Sequence, residues 1–218
     1  MASQRHSAAG WPGLPTRTAA NRVEDTAILR AARDSVLAHG VRRTTLTDVA
    51  RRARISRMTL YRRFPDASAL VGTLVACEFS AVLRCARAQE GGGNARERLV
   101  AVVLDVVARL QGSALLRRIL DTDPDLLLPY LVDRLGSTQL TAEAFLLGYL
   151  DEGRADGSVR RAEPAVQARA LLLLLQSFVI SARPGTTGTD PDALHRELGA
   201  LLDAALRPAP RPTAPEAP

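Results

Sequence analysis

Thr44-Thr45-Leu46-Thr47-Asp48-Val49-Ala50, followed by Ile55-Ser56-Arg57-Met58-Thr59-Leu60-Tyr61-Arg62-Arg63-Phe64, decides the fold. Thr45 and Asp48 stand as Thr-x-x-Asp ahead of Val49 and Ala50, a capping-box-like start in which both side chains can satisfy free amides of a first helical turn. That helix is short and runs to about Ala53. Arg54 and Ile55 then make a tight connection, Ser56 is the expected N-cap, and a further helix from Arg57 is stopped by Pro65. Two short helices joined by a few residues, the second dense in arginine, form the helix-turn-helix pattern. Upstream, Ala27, Ile28, Ala31, Ser35 and Val36 give an apolar stripe at helical spacing, so a first helix is expected from about Val23 to His39, with Gly40 as its left-handed cap.

The charge distribution agrees with a DNA-facing N-terminus. All 29 basic residues are arginine, and the formal net charge is +6. Residues 1–66 hold 13 Arg against 5 Asp plus Glu, whereas residues 67–218 hold 16 against 18. One end is therefore suited to a polyanion and the other is not. Composition is 46% hydrophobic but only 4% aromatic, and the Ala and Leu that dominate it favour helix.

Working outward, residues 1–20 are rich in Gly, Pro, Ser and Thr and read as a flexible arm, and residues 207–218 read as a disordered Pro-rich tail. Arg5, Arg17 and Arg22 lie in or beside the arm, where a minor-groove contact competes with a plain disordered tail as the reading. Glycine and proline punctuation divides residues 67–206 into about six further helices: 67–89, 94–111, 113–121, 124–152 (with a break near Pro129 and Leu135), 162–183 and 191–206. The fold class is all-α: a three-helix DNA-binding domain over 21–66 and a larger helical bundle over 67–206.

The segment quoted above resembles the DNA-binding signature of the TetR family. The paired Thr, Ala50, the Leu-Tyr-Arg-x-Phe run and the following Pro-Asp-x-x-x-Leu fall in family register, over about residues 25–71. Two positions depart from it: Met58 stands where the family commonly has Gly, and Ala67 where it commonly has Lys. The resemblance implies a homodimeric repressor released from a palindromic operator by a small-molecule effector. It also implies a dimer interface on the last two helices, placed by analogy at Leu171, Leu174, Phe178, Leu198, Leu201 and Leu202.

Position assigns the roles on DNA. The N-terminal residues of a recognition helix meet base edges, so Arg57, Met58 and Thr59 are the candidates for direct readout, Arg57 by a bidentate pair to guanine. Thr45, Tyr61 and Arg62 are assigned to phosphates. Arg62 and Arg63 together are expected to supply the phosphate charge that Ala67, standing in place of Lys, does not. Leu46, Val49, Ala50, Ile55, Leu60 and Phe64 are the expected packing residues. In the larger domain Asp105, Gln111, Tyr130, Phe145, Tyr149 and Gln176, with Gln139 and Ser177, are polar or aromatic residues embedded in apolar helices and therefore candidates to line a ligand pocket. The scarcity of aromatics points toward an aliphatic or acyl-type effector.

Other classes lack their signatures. No His-Glu-x-x-His, phosphate-binding Gly-x-x-x-x-Gly-Lys loop or Gly-x-Ser-x-Gly elbow is present, so no enzyme is expected. Neither a cofactor nor a metal site is expected, since two cysteines and three dispersed histidines have no ligand spacing. Cys77 and Cys85, eight apart on one helix and about 12 Å from each other, cannot pair within it and are expected to be buried packing residues. No signal peptide or membrane span is evident, and a cytoplasmic protein is expected. The remaining alternative is a DNA-binding or protein-interaction module without a small ligand.

Overall fold

Every regular element among the described residues is helical. The structure is a computed structural model that describes residues 19–209, with side chains from Glu24 onward except those of Tyr130 and Val132. Arg5 and Arg17, the side chain of Arg22 and most of the C-terminal tail therefore lie outside the described residues. The order is α1 (Ala19–His39), α2 (Leu46–Ala53), α3 (Arg57–Arg63), α4 (Ala67–Ala88), α5 (Ala95–Gly112), α6 (Ala114–Thr122), a 3-10 turn (Pro124–Leu126), α7 (Leu128–Val132), α8 (Ser137–Ala155), α9 (Pro164–Ile180), α10 (Ala182–Gly185) and α11 (Pro191–Leu206). The first helix starts four residues earlier than its apolar stripe suggests, with Ala19 and Ala20, strong helix formers, at its start. The 124–152 stretch, expected to break near Pro129 and Leu135, forms three pieces, interrupted at Leu127, just before Pro129 in the first turn of α7, and over 133–136.

The chain divides into two compact units at Cys77/Glu78, inside α4 and not at Pro65. Burial explains the displacement: Leu70, Val71 and Leu74, past the proline, are buried. In the first unit Ile28, Ala32 and Val36 of α1, Val49 and Ala50 of α2, and Leu60 of α3 are essentially inaccessible. Leu60 alone contributes about 2 kcal/mol by leaving water. Ile55 and Phe64 are half-buried at the edge of this set.

The second unit is built around α5, which packs against α8, α9 and α11. Leu99, Val102, Val103 and Val107 of α5 meet Leu146, Tyr149 and Leu150 of α8, Ala168, Leu171 and Leu172 of α9, and Leu198, Leu202 and Leu206 of α11 in one core. Asn94 starts α5 with a complete capping box to Glu97. Gly199 lets α11 approach closely, since a Cβ there would stand 3.0 Å from Leu104.

The cysteines are not packed as expected: Cys77 is half-buried and Cys85 exposed. Cys85 lies beyond the buried positions Leu83 and Ala86 on the outer side of α4. Among the described residues α4 is the one helix long and apolar enough to cross a membrane by length and composition. Its apolar residues are buried at both ends, Leu70, Val71 and Leu74 at one and Leu83 and Ala86 at the other.

Candidate DNA interface and effector bundle

Three polar groups lock α1 onto the start of α2. The Thr44 hydroxyl donates to the Gly40 carbonyl (2.8 Å), closing the turn that Gly40 makes at φ 83°. Ser35, fully buried, donates to the Asp48 carboxylate at 3.3 Å. Thr45 caps α2 as expected, its hydroxyl accepting the Asp48 N–H at 3.2 Å. The reciprocal half of the capping box is not made: Asp48 turns to the guanidinium groups of Arg51 and Arg52, the latter at 2.8 Å. Hydrogen bonds from Arg51 and then Arg52 hold the Asp48 carboxyl down at about 2 against an ordinary 3.8. A charge-assisted pair outcompetes one more amide bond there.

Ser56 caps α3, accepting the Thr59 N–H at 3.0 Å, with the two hydroxyls 2.8 Å apart. Thr59 is thereby half-buried and partly committed. With Leu60 inward, the opposite face carries Arg57, Met58 (79% exposed), Tyr61 (51% exposed) and Arg62. No ion pair engages Arg57 or Arg62 among the described residues. Arg63 does not belong with them. Its guanidinium points to α1 and bonds Glu24 and Asp25, each at 2.6 Å, with 11% of its side chain exposed. It fastens α3 to α1 and is not available to stand in for a phosphate-binding Lys at Ala67.

In the second unit the embedded polar residues mostly find partners within the bundle. Gln111 donates to the Phe178 carbonyl at 3.0 Å, and Gln139 bonds Gln176, joining α8 to α9. Asp105 pairs with Arg109 at 2.7 Å on the outer part of α5. Phe145 and Tyr149 stack at a 56° tilt with centroids 5.3 Å apart. Tyr149 is 1% exposed, and its hydroxyl donates to Glu90 at 2.6 Å. Burial first, and then that bond, push the phenol far above its ordinary 10. Ser177 is exposed on α9, and the Tyr130 side chain lies outside the described residues.

Residues 28–73 match the family model for bacterial regulatory proteins of the tetR family. An uncharacterised HTH-type transcriptional regulator of Mycobacterium tuberculosis is 35% identical over 179 residues, spanning 82% of this chain and 92% of that protein. The chain belongs to the TetR family. As a TetR-family protein it is a transcriptional regulator with a DNA-binding helix-turn-helix, not an enzyme. The fold agrees with that of the R. erythropolis repressor QsdR (TM-score 0.63, 21% identity, 87% of this chain and 99% of that one). It also agrees with that of the Bacillus subtilis regulator FadR solved with stearoyl-CoA (TM-score 0.57, 17% identity, 84% and 99%).

Family membership makes two features of the second unit worth separating. Of the six leucine and phenylalanine positions expected at a dimer interface, Leu171, Leu198 and Leu202 are buried in the chain's own core, and Phe178 is half-buried beside it. Leu174 (37% exposed) and Leu201 (49%) face outward, joined on α9 by two residues that the sequence pattern does not single out, Val166 (67%) and Leu173 (52%). The ionic cluster around Tyr149 is equally silent in the sequence. Arg98 bridges Glu90 (2.5 Å) and Glu152 (2.6 Å), and Arg87 stands 5.3 Å over the Tyr149 ring. Its members come from residues 87–98 and 149–152, with no spacing that announces them.

Proposed function

We propose that this TetR-family regulator is a cytoplasmic repressor that binds a palindromic operator as a homodimer and is released by a small-molecule effector. The observation that carries the DNA half of the reading is the outward face of α3, where Arg57, Met58, Tyr61 and Arg62 stand exposed together on a rigid, doubly capped helix. Arg57 and Met58 occupy the N-terminal turn that meets base edges, with Thr59 held beside them by Ser56. Thr45, Tyr61 and Arg62 fix the duplex through phosphates.

Two recognition helices need a two-fold arrangement to enter successive major grooves. Val166, Leu173 and Leu174 of α9 and Leu201 of α11 supply outward apolar surface for it. The effector site is assigned to the bundle around Phe145, Tyr149, Gln111 and the Gln139–Gln176 pair, where a few polar groups interrupt apolar walls. Asp105 is less suited, being held by Arg109. An acyl-type effector accords with the low aromatic content and with the stearoyl-CoA held by the similarly folded FadR. A ligand that prefers one spacing of the recognition helices shifts the population between operator-competent and released dimers.

Selection of bound sequences from a random duplex pool at near-physiological salt tests the reading. Enrichment of a palindrome is expected, and long-chain acyl-CoA added to the resulting complex is expected to release it. A folded dimer that enriches no sequence overturns the operator assignment, and an enriched operator indifferent to acyl-CoA overturns the effector class.

A further inference from the structure

The turn between α2 and α3 closes on a left-handed residue that is not glycine. Arg54 sits at φ 57°, ψ 40°, the one non-glycine residue with positive φ among those described. Its N–H reaches back to the Ala50 and Arg51 carbonyls, and the Ile55 N–H bonds the Ala50 carbonyl at 3.1 Å, a Schellman-type closure that glycine would make without strain. Holding an L-residue there costs backbone energy. Strain retained at such a position directs attention to what the side chain does.

The Arg54 side chain opens onto a groove of about 390 Å³ between α1 and the end of α2. Arg30 and Asp34 of α1 and Arg52 of α2 stand around it, over a floor that includes Ala27 and Ala31. Arg52 is committed to Asp48 and lies 3.4 Å from the His39 ring. Arg30 and Arg54 are exposed, and among the described residues no acid pairs with either, Asp34 included. The groove thus presents two guanidinium groups, on α1 and on the α2–α3 turn, that no ion pair engages, with Asp34 as the one carboxylate lining it.

We propose that Arg54 and Arg30 form a second phosphodiester-binding site of the DNA-binding unit, holding the duplex backbone beside the groove that α3 enters. The inference rests on the assignment of α3 as the recognition helix. Arg54 precedes Arg57 by three residues, at most about 11 Å of chain. The major groove is about 12 Å wide, so with the α3 N-terminus at the base edges the turn lies within a groove width of a phosphate rail. Duplex DNA is the occupant the charges favour, because three guanidinium groups against the one carboxylate of Asp34 leave the groove cationic and suited to a row of phosphates. The Ala floor offers no base-reading chemistry, and guanidinium contacts to phosphates add affinity without sequence preference.

The test measures operator affinity against salt for the full-length protein and its Arg54→Gly, Arg54→Lys, Arg30→Gln and Arg57→Ala variants, on the selected operator and on a scrambled duplex. Arg54→Gly relieves the left-handed strain, so its thermal midpoint is expected to be no lower than that of the parent, and any loss on DNA is not a loss of fold. For Arg54→Gly and for Arg30→Gln the plot of log affinity against log salt is expected to be shallower by about 0.9 each, equally on both duplexes. Arg54→Lys is expected to keep the parental slope. Parental slopes for both neutral variants overturn the proposal, as does a loss confined to the operator. If Arg57→Ala leaves base preference intact, the recognition-helix assignment fails instead, a result distinct from either of these.

Discussion

Arg63 shows how much a single side chain's direction matters. In the sequence it is one of two adjacent arginines at the end of an arginine-dense helix, indistinguishable from Arg62. Helical geometry places it about 100° further round, toward α1, where Glu24 and Asp25 take both ends of its guanidinium. Their positions 38 and 39 residues earlier carry no local signal. Arg63→Ala is expected to lower unfolding free energy by about 2 kcal/mol, since it removes two charge-assisted bonds at a mostly buried site. The base preference of the selected operator should not change, and chemical denaturation together with repeat selection checks both halves. A changed preference with unchanged stability would return Arg63 to the DNA face. Asp48 gives a pH-dependent counterpart. Its carboxyl is lowered to about 2 from 3.8, so the stability it supplies is fully present above about pH 4 and is lost as pH falls toward 2. Thermal midpoints of the parent and of Asp48→Asn, well separated at about pH 6, are expected to converge over that interval. A gap that persists at the acid end would mean that the Asn variant fails for a reason other than lost charge.

At the scale of elements, caps made the DNA-binding unit legible and packing made the bundle harder to read. Thr45, Ser56, Gly40 and Pro65 are local signals: Gly40 ends α1, Thr45 and Ser56 start α2 and α3, and α3 stops before Pro65, whereas α2 ends on left-handed Arg54 without such a signal. The stretch after Thr122 is different. Pro124, Pro129 and Gly136 permit several segmentations, and Leu126, Leu128 and Leu131 stay exposed in the short pieces that form, so no buried stripe marks their bounds in the sequence. The α8 to α9 connection depends on a close approach that the sequence shows only as one glycine among several. A Cβ at Gly153 would collide with the Val159 side chain, which is itself buried in the bundle core. The Val159 N–H also bonds the Gly153 carbonyl at 2.9 Å, so neither side can shift without breaking the turn. Gly153→Ala is expected to cost about 1–3 kcal/mol through overpacking, despite the better helix propensity of alanine. Gly148→Ala, in the same helix with open space at the Cβ, is expected to be neutral or stabilising. Equal effects of the two in thermal unfolding would contradict the close approach.

At the scale of the molecule, the charge asymmetry and the helical character were both readable from composition, but the apolar surface left outward, proposed above for self-association, was not. An apolar helix such as α9 has more hydrophobic positions than one core can use, and periodicity alone does not say which are left outward. Leu171, Leu198 and Leu202 are taken inward, with Val166, Leu173, Leu174 and Leu201 remaining outside. Leu173→Asp combined with Leu201→Asp is expected to yield a folded monomer in sedimentation, with affinity for a palindromic operator reduced to that for a single half-site. Leu198→Asp is expected to prevent folding of the bundle altogether. A double variant that stays dimeric would move the interface elsewhere.

The contrast between Tyr61, half exposed in the first unit, and Tyr149, sealed in the second beneath Arg87 and against Glu90, has an optical consequence. Phenolate absorbs at longer wavelength than phenol, so in a Tyr61→Phe, Tyr130→Phe background an alkaline titration followed in the near ultraviolet reads the Tyr149 phenol alone. Tyr149 stays silent until the bundle opens. Because the buried phenol ionises more readily once released, base weakens the second unit above about pH 10, and the step in absorbance becomes a clock for its opening.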